Sequence, residues 1–204
     1  MTSPLLDNLE KEIAATEAVT STEVVVVLAR RAEAYRDVPW KTGSLLAGAA
    51  LLAIVWLPVE FSADWMILDL SLAFGLGWLA GRSSDPLRCL LTSRRRRREA
   101  AVARAHQTFS ERGVSLTRSR TGLLWFFSLM EQESVLLWDA GFERCVPYSR
   151  LALAAREIEH AMRGPDLLGG FRKGFEILRP ILAQHLPAGS ENPNEIPNRP
   201  VVLP

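Results

Sequence analysis

GSLLAGAALLAIVWLPV, residues 43–59, and WMILDLSLAFGLGWLA, residues 65–80, are two runs almost without charge, joined by the short link Glu60-Phe61-Ser62-Ala63-Asp64. The hydrocarbon core of a bilayer is about 30 Å thick and takes about 20 helical residues, with about 17 as the lower limit. Read this way, the two runs form a transmembrane helical hairpin. The flanks set its orientation. Arg30, Arg31, Arg36 and Lys41 precede the first run, and Arg82, Arg88 and the block Arg94 to Arg98 follow the second. The link carries only the acidic Glu60 and Asp64. Lys and Arg close to membrane ends stay on the cytoplasmic side. The expectation is a two-pass protein of the inner (cytoplasmic) membrane, with both termini and the soluble domain in the cytoplasm. The N-terminus lacks a basic stretch followed by an apolar core, so no secretory signal is read and the first membrane helix serves as its own insertion signal.

Outward from the hairpin, the soluble segments alternate between strand and helix patterns. Glu23 to Ala29 contains four consecutive valines, which stiffen the chain at χ1 and favour strand over helix. A short run apolar on both faces reads as a central strand covered by helices on either side. Thr121 to Met130 reads as a second strand and Ser134 to Trp138 as a third, with Glu131-Gln132-Glu133 as the turn of an antiparallel hairpin. A long crossover separates the first strand from the second, which favours a parallel pair.

Four helices are expected around these strands. Pro4 to Val19 carries Leu5, Leu6, Leu9 and Ile13 on one face, with Ser3 as its cap. Arg88 to Arg112 has an Ala101, Val102, Ala105 and Phe109 stripe and ends at Gly113. The third is capped by Ser149 and runs to about Arg163, and the fourth runs from Asp166 to about His185. The fold class is therefore α/β: a small mixed-sheet sandwich with helices on both faces, interrupted by a two-helix transmembrane hairpin. Residues 1–41 and 82–186 are the two parts of one cytoplasmic domain, because neither holds enough apolar surface alone. Residues 42–81 are the hairpin. Residues 187–204, rich in Pro and Asn, are an extended or flexible tail, of which Asn194 to Leu203 suits pairing along a sheet edge or a partner.

The chain has 204 residues and a net charge of +1, which conceals an uneven layout. Asp7, Glu10, Glu12 and Glu17 make the first helix acidic, while positive charge crowds around the hairpin. Such a collar is attracted to anionic lipid, at about 1 kcal/mol per basic residue near the surface. Membrane or lipid contact is expected at Trp40, Lys41, Trp65, Arg82 and Arg94, Arg95, Arg96, Arg97 and Arg98. With the basic block so close behind a membrane segment, no nucleic-acid partner is read. Asp69, Gly75, Gly77 and Arg199 are candidate partner contacts, since small residues let membrane helices approach and a carboxylate inside a membrane helix is costly. Small residues also suit pairing of the two helices within the chain, and Asp69 can reach the interface beside Trp65. Cys89 and Cys145 are far apart and read as reduced thiols.

The chemistry is sparser. His106, His160 and His185 lack neighbours at ligand spacing, and no P-loop, G-x-S-x-G or G-x-G-x-x-G occurs. The polar residues at strand ends are Glu23, Arg118, Arg120 and Asp139. Glu23 and Asp139 are candidate Ca²⁺ ligands, since loop carboxylates bind this ion through oxygen. Asp139-Ala140-Gly141 is more often a turn former. No other cofactor is expected.

Several of these segments occur in a familiar order: Thr20-Ser21-Thr22-Glu23-Val24-Val25-Val26-Val27, Glu111-Arg112-Gly113-Val114, Thr117-Arg118-Ser119-Arg120-Thr121-Gly122-Leu123-Leu124, Asp139-Ala140-Gly141-Phe142 and the closing Asn194 to Leu203. Together they resemble the TPM-domain family, and the tail is similar to that of its bacterial branch with an inserted membrane hairpin. Thr22 stands where that family usually has glycine. The resemblance implies an α/β sandwich that assists large membrane complexes, with acid phosphatase activity and Ca²⁺ binding in some members. The expected function is a non-enzymatic accessory or assembly protein, docking to a larger membrane complex through the TPM-like domain and hairpin. The alternative is a divalent-cation-dependent, acid-phosphatase-like hydrolase using Glu23 and Asp139.

Overall fold

The computed structural model describes residues 3–56, 62–189 and 194–204. The end of the first apolar run and the start of its link, 57–61, lie outside them, as does the side chain of Ser3 read above as a cap. In chain order the elements are α1 (Ser3–Glu17), β1 (Val24–Ala29), α2 (Val38–Trp56), α3 (Ala63–Ser83), α4 (Asp85–Leu91) and α5 (Arg94–Glu111). A 3₁₀ turn at Val114–Leu116 follows. Then come β2 (Leu123–Ser128), β3 (Glu133–Trp138), α6 (Ala140–Cys145), α7 (Tyr148–Ala161), α8 (Leu167–His185) and β4 (Val201–Leu203). The chain divides into two compact units, Met1–Glu33 with Arg97–Pro204, and Ala34–Arg96.

The first unit is a mixed α/β layer structure. Its four strands lie in the order β3-β2-β1-β4. β1 runs parallel to β2, from Val24 opposite Leu123 to Ala29 opposite Ser128. β2 and β3 are antiparallel, with Leu123 opposite Trp138. The valine run explains why β1 is central. Because strand side chains alternate between faces, Val24, Val26 and Leu28 enter one core with Leu9, Ile13, Phe171 and Phe175, while Val25, Val27 and Ala29 enter another with Ala101 and Ala105. Both faces are thus covered by helices, and all six residues of β1 are buried. Trp125 on β2 anchors the larger core. Its ring lies 4.6 Å from that of Phe171 and 5.3 Å from that of Phe175, and its indole N–H donates to Ser134 Oγ at 2.9 Å. Gly174 on α8 faces this ring so closely that a Cβ there would collide with it.

Three local readings are corrected, at Arg88 to Arg112, at Ser149 and at Asp139. The helix expected over Arg88 to Arg112 is two helices, because Thr92 adopts extended geometry and Ser93 Oγ accepts from the Arg96 amide to start α5. Gly113 follows α5 at φ 64°, left-handed geometry that glycine takes without strain. Ser149 does not cap α7, which begins at Tyr148 behind Pro147 with no side-chain cap. Asp139 opens a further short helix, α6, its side chain accepting from the Ala140 amide. The tail supplies β4, whose Val201 to Leu203 pair in parallel with Val27 to Ala29.

The second unit is a helical hairpin. Gly43 packs against the Phe74 ring, and Gly77 and Gly81 pack against Thr42. The start of α2 therefore meets the end of α3, and the two helices are antiparallel. A Cβ on Gly77 would lie 2.5 Å from the Thr42 carbonyl, so glycine here permits the close approach. Among the described residues, α2 alone is long and apolar enough to cross a membrane, with a mean hydropathy of 1.5. α3 holds Asp69 within it and Arg82 in its last turn.

Candidate functional site

The register places Glu23, Gly122 and Asp139 in one row, just beyond the paired ends of β1, β2 and β3. Glu23 is buried, its Oε2 accepting from the Ile196 amide at 3.1 Å. Burial pushes its carboxyl above the usual range, against the amides of Ile196 and Glu195. Glu17, also buried, accepts from the Val24 amide at 2.9 Å. Desolvation drives its pKa up to about 7; the charge of Glu23 adds to this, while the Val24 amide and Asn198 oppose it. Glu195 in turn accepts from the Arg118 amide at 3.1 Å. These carboxylates hold the tail along the mouth of β1.

Asp139 is occupied by its own surroundings. Arg120 Nε donates to Oδ2 at 2.7 Å and Nη2 to Oδ1 at 3.1 Å, and Oδ1 also accepts from the Ala140 amide at 2.7 Å. Burial pushes this carboxyl up, and the bonds from Arg120 and Ala140 more than reverse it, holding it below the usual range. Arg120 has a left-handed backbone (φ 56°), and a Cβ on Gly141 would run into its carbonyl. Among the described residues, no three His, Cys, Asp or Glu side chains are placed to hold a metal ion. Glu23 and Asp139 thus act in the structure as acceptors for backbone amides and Arg120.

The residues expected at a membrane surface are mostly engaged locally. In the hairpin unit, Trp40 and Trp65 are exposed, Trp40 with its ring 5.8 Å from that of Phe74. Arg96 grips Asp37 with two bonds at 2.8 and 3.0 Å and lies 5.4 Å from the centre of the Tyr35 ring. Lys41 joins the same carboxylate at 2.7 Å. Arg96 and Lys41 hold the Asp37 carboxyl well below the usual range. Arg82 lies 5.3 Å from the Trp78 ring centre, and its carbonyl accepts from buried Arg88. Asp69 is half-buried and Gly75 exposed, with open space where its Cβ would be, whereas Gly77 is buried in the helix pair.

In the α/β unit, Arg98 bonds Glu159 at 2.9 Å and lies 3.5 Å from Glu133. Arg97 buries an Nε without a partner, and Arg199 is exposed in the tail. Arg94 and Arg95 are exposed. The arginine run is therefore not a uniform cationic surface, because Arg96 and Arg98 are neutralised by carboxylates distant in sequence. Cys89 and Cys145 are both free thiols.

Sequence reasoning missed a groove of about 260 Å³ along β3. Ser134, Leu136 and Trp138 form its floor, Arg98 of α5 one wall, and Tyr148 and Arg156 of α7 the other. The signal for it was the even half-burial that an outer strand takes, which becomes visible only once the strand order is known.

The fold and these sites define a mixed α/β protein with a helical hairpin inserted in the crossover between its two central parallel strands. No family model matches the chain, and no curated protein does. A solved structure similar in fold is the NMR structure of BA42 protein from the psychrophilic bacterium Bizionia argentinensis sp. nov., with a TM-score of 0.60 at 14% identity. The alignment covers 99% of this chain and 94% of that one. At such identity the likeness is one of fold.

Proposed function

We propose that this chain is an integral inner-membrane accessory protein of a bacterium. The α2–α3 hairpin spans the bilayer, both termini and the α/β unit are cytoplasmic, and the α/β unit, a TPM-like domain, docks to a larger membrane complex. The observation that carries the reading is the exposure of large apolar side chains around the hairpin. Leu45, Val55 and Trp56 on α2 and Trp65, Ile67 and Leu72 on α3 all stand out from the helix pair, Trp56 at 83% exposure. Contiguous apolar surface of this kind marks a membrane or partner interface. At 1.5 Å per residue, helices of this length reach about 30 Å, the thickness of a hydrocarbon core. The basic residues at both outer ends of the hairpin support a cytoplasmic placement of the flanks.

We read the role as non-enzymatic, a reading supported by Asp139 and Glu23 Oε2 accepting from the protein's own donors. The reading predicts that the full chain stays in membranes through an alkaline carbonate wash. It also predicts that native extraction in mild detergent yields a particle larger than the chain and its micelle. Recovery of the protein alone at every expression level contradicts it. Turnover of phosphomonoesters by the purified chain, abolished by Asp139→Asn, favours the hydrolase alternative instead.

A further inference from the structure

We propose that the groove along β3 receives an extended, acidic peptide segment of a partner protein, which adds to the sheet as a fifth strand. The inference rests on the docking role above and names the surface and the kind of partner.

β3 ends the strand order, so among the described residues no strand lies against one side of its backbone. The register identifies the groups that point outward. Leu123 donates its amide to the Glu23 carbonyl, on the β1 side, at 2.8 Å, and the next residue pair along, Asp139 and Gly122, is bonded at 3.0 Å. Leu123 and Trp138 are therefore a non-hydrogen-bonded pair, and antiparallel ladders alternate. It follows that Trp138, Leu136 and Ser134 direct their backbone N–H and C=O groups away from β2. These are the β3 residues whose side chains face the α7 and α8 core, and all three line the groove.

Exposed edges are commonly guarded by Lys, Pro or a bulge. β3 reads Glu133-Ser134-Val135-Leu136-Leu137-Trp138, with neither Lys nor Pro, and pairs with β2 in unbroken register. The walls select the occupant. α5 contributes Arg98 and Val102 from one layer, and α7 contributes Tyr148, Ala152 and Arg156 from the other. A single extended chain fits between them. The edge of another sheet, with helices on its own faces, would meet these walls, which disfavours a second copy of this chain.

Charge sets the sequence preference. Arg98 is balanced by Glu159 and Glu133, whereas Arg156 is exposed and makes no ion pair or hydrogen bond among the described residues. Trp138 and Tyr148 meet edge to face at 6.2 Å, offering an apolar rim beside it. An alternating peptide with acidic residues on one face complements both the bare amides and Arg156.

The test uses the full chain in detergent and a fluorescent octapeptide of alternating Val and Glu, read by anisotropy. Saturable binding is expected. It should weaken at least tenfold for the same peptide N-methylated on one edge, for the Lys-for-Glu peptide, and for Arg156→Glu. Bound peptide should also slow hydrogen exchange at the Leu136 amide, a readout that needs no variant. Absence of saturable binding, equal binding of the N-methylated peptide, or a concentration-dependent dimer that excludes the peptide each overturns the proposal. A chain that binds the peptide yet leaves membranes in the carbonate wash overturns the anchoring and leaves the groove standing.

Discussion

Glu17→Gln isolates the energetic consequence of burying a carboxylate beneath β1. Glu17 is only 8% exposed, and its pKa stands at about 7 against an ordinary 4.5. Between those pH values the folded protein binds a proton that the unfolded chain releases. The sign follows from that difference: stability from this group is complete below about pH 4.5 and is lost as the pH rises through 7. At about 1.4 kcal/mol per pH unit, the loss is about 3 kcal/mol, or about 6–12 °C in Tm for a chain of this size. Gln keeps the oxygen that accepts from the Val24 amide but cannot ionise. Thermal unfolding in detergent should therefore give equal Tm values for the two proteins near pH 4.5 and a more stable variant at pH 8. Glu133, raised by burial, titrates in both proteins and cancels in the comparison, whereas the repulsion between Glu23 and Glu17 is part of what the variant relieves. Parallel Tm profiles for variant and wild type from pH 4.5 to 8 would refute the reasoning.

Gly174→Ala drives a methyl into the Trp125 ring and should cost about 1–3 kcal/mol by urea unfolding; unchanged stability contradicts the packing described. Gly77→Leu should open the helix pair to limited proteolysis, because its Cβ meets the Thr42 carbonyl, while Gly75→Leu, with open space there, should be tolerated. Equal sensitivity of the two variants would show that the hairpin packs otherwise. Asp139→Ala removes the α6 cap and should cost about 0.5–2 kcal/mol at neutral pH. Because this carboxyl is held below its ordinary value, its ionic contribution is present at pH 7 and fades as the pH falls through about 4, so wild type and Asp139→Asn should converge in acid.

The central sheet was legible because β1 and β2 are apolar on both faces, and a long crossover and a short turn leave little choice of pairing. The helix pair was legible from two runs almost without charge. Side-chain roles at the strand ends were less so. Asp139-Ala140-Gly141 suits a turn, a ligand or a helix start, and only Arg120 in left-handed geometry decides among them. The arginine block read as a collar because its partners, Asp37, Glu133 and Glu159, are remote in sequence. The break at Thr92-Ser93 carries only the mark of Ser93 as an N-cap, which the continuous helical pattern on either side masks. The groove depends on strand order: β4 returns to the far side of β1, which leaves the outer edge of β3 open.

Sided labelling tests the membrane assignment most directly. Cys145 is exposed in the α/β unit and Ser62 precedes α3. In intact cells expressing a Cys89→Ala chain, a membrane-impermeant maleimide should leave Cys145 unlabelled until the membrane is opened. The same reagent should label Ser62→Cys from outside. Labelling of Cys145 in sealed cells would place the α/β unit on the opposite side and contradict the account.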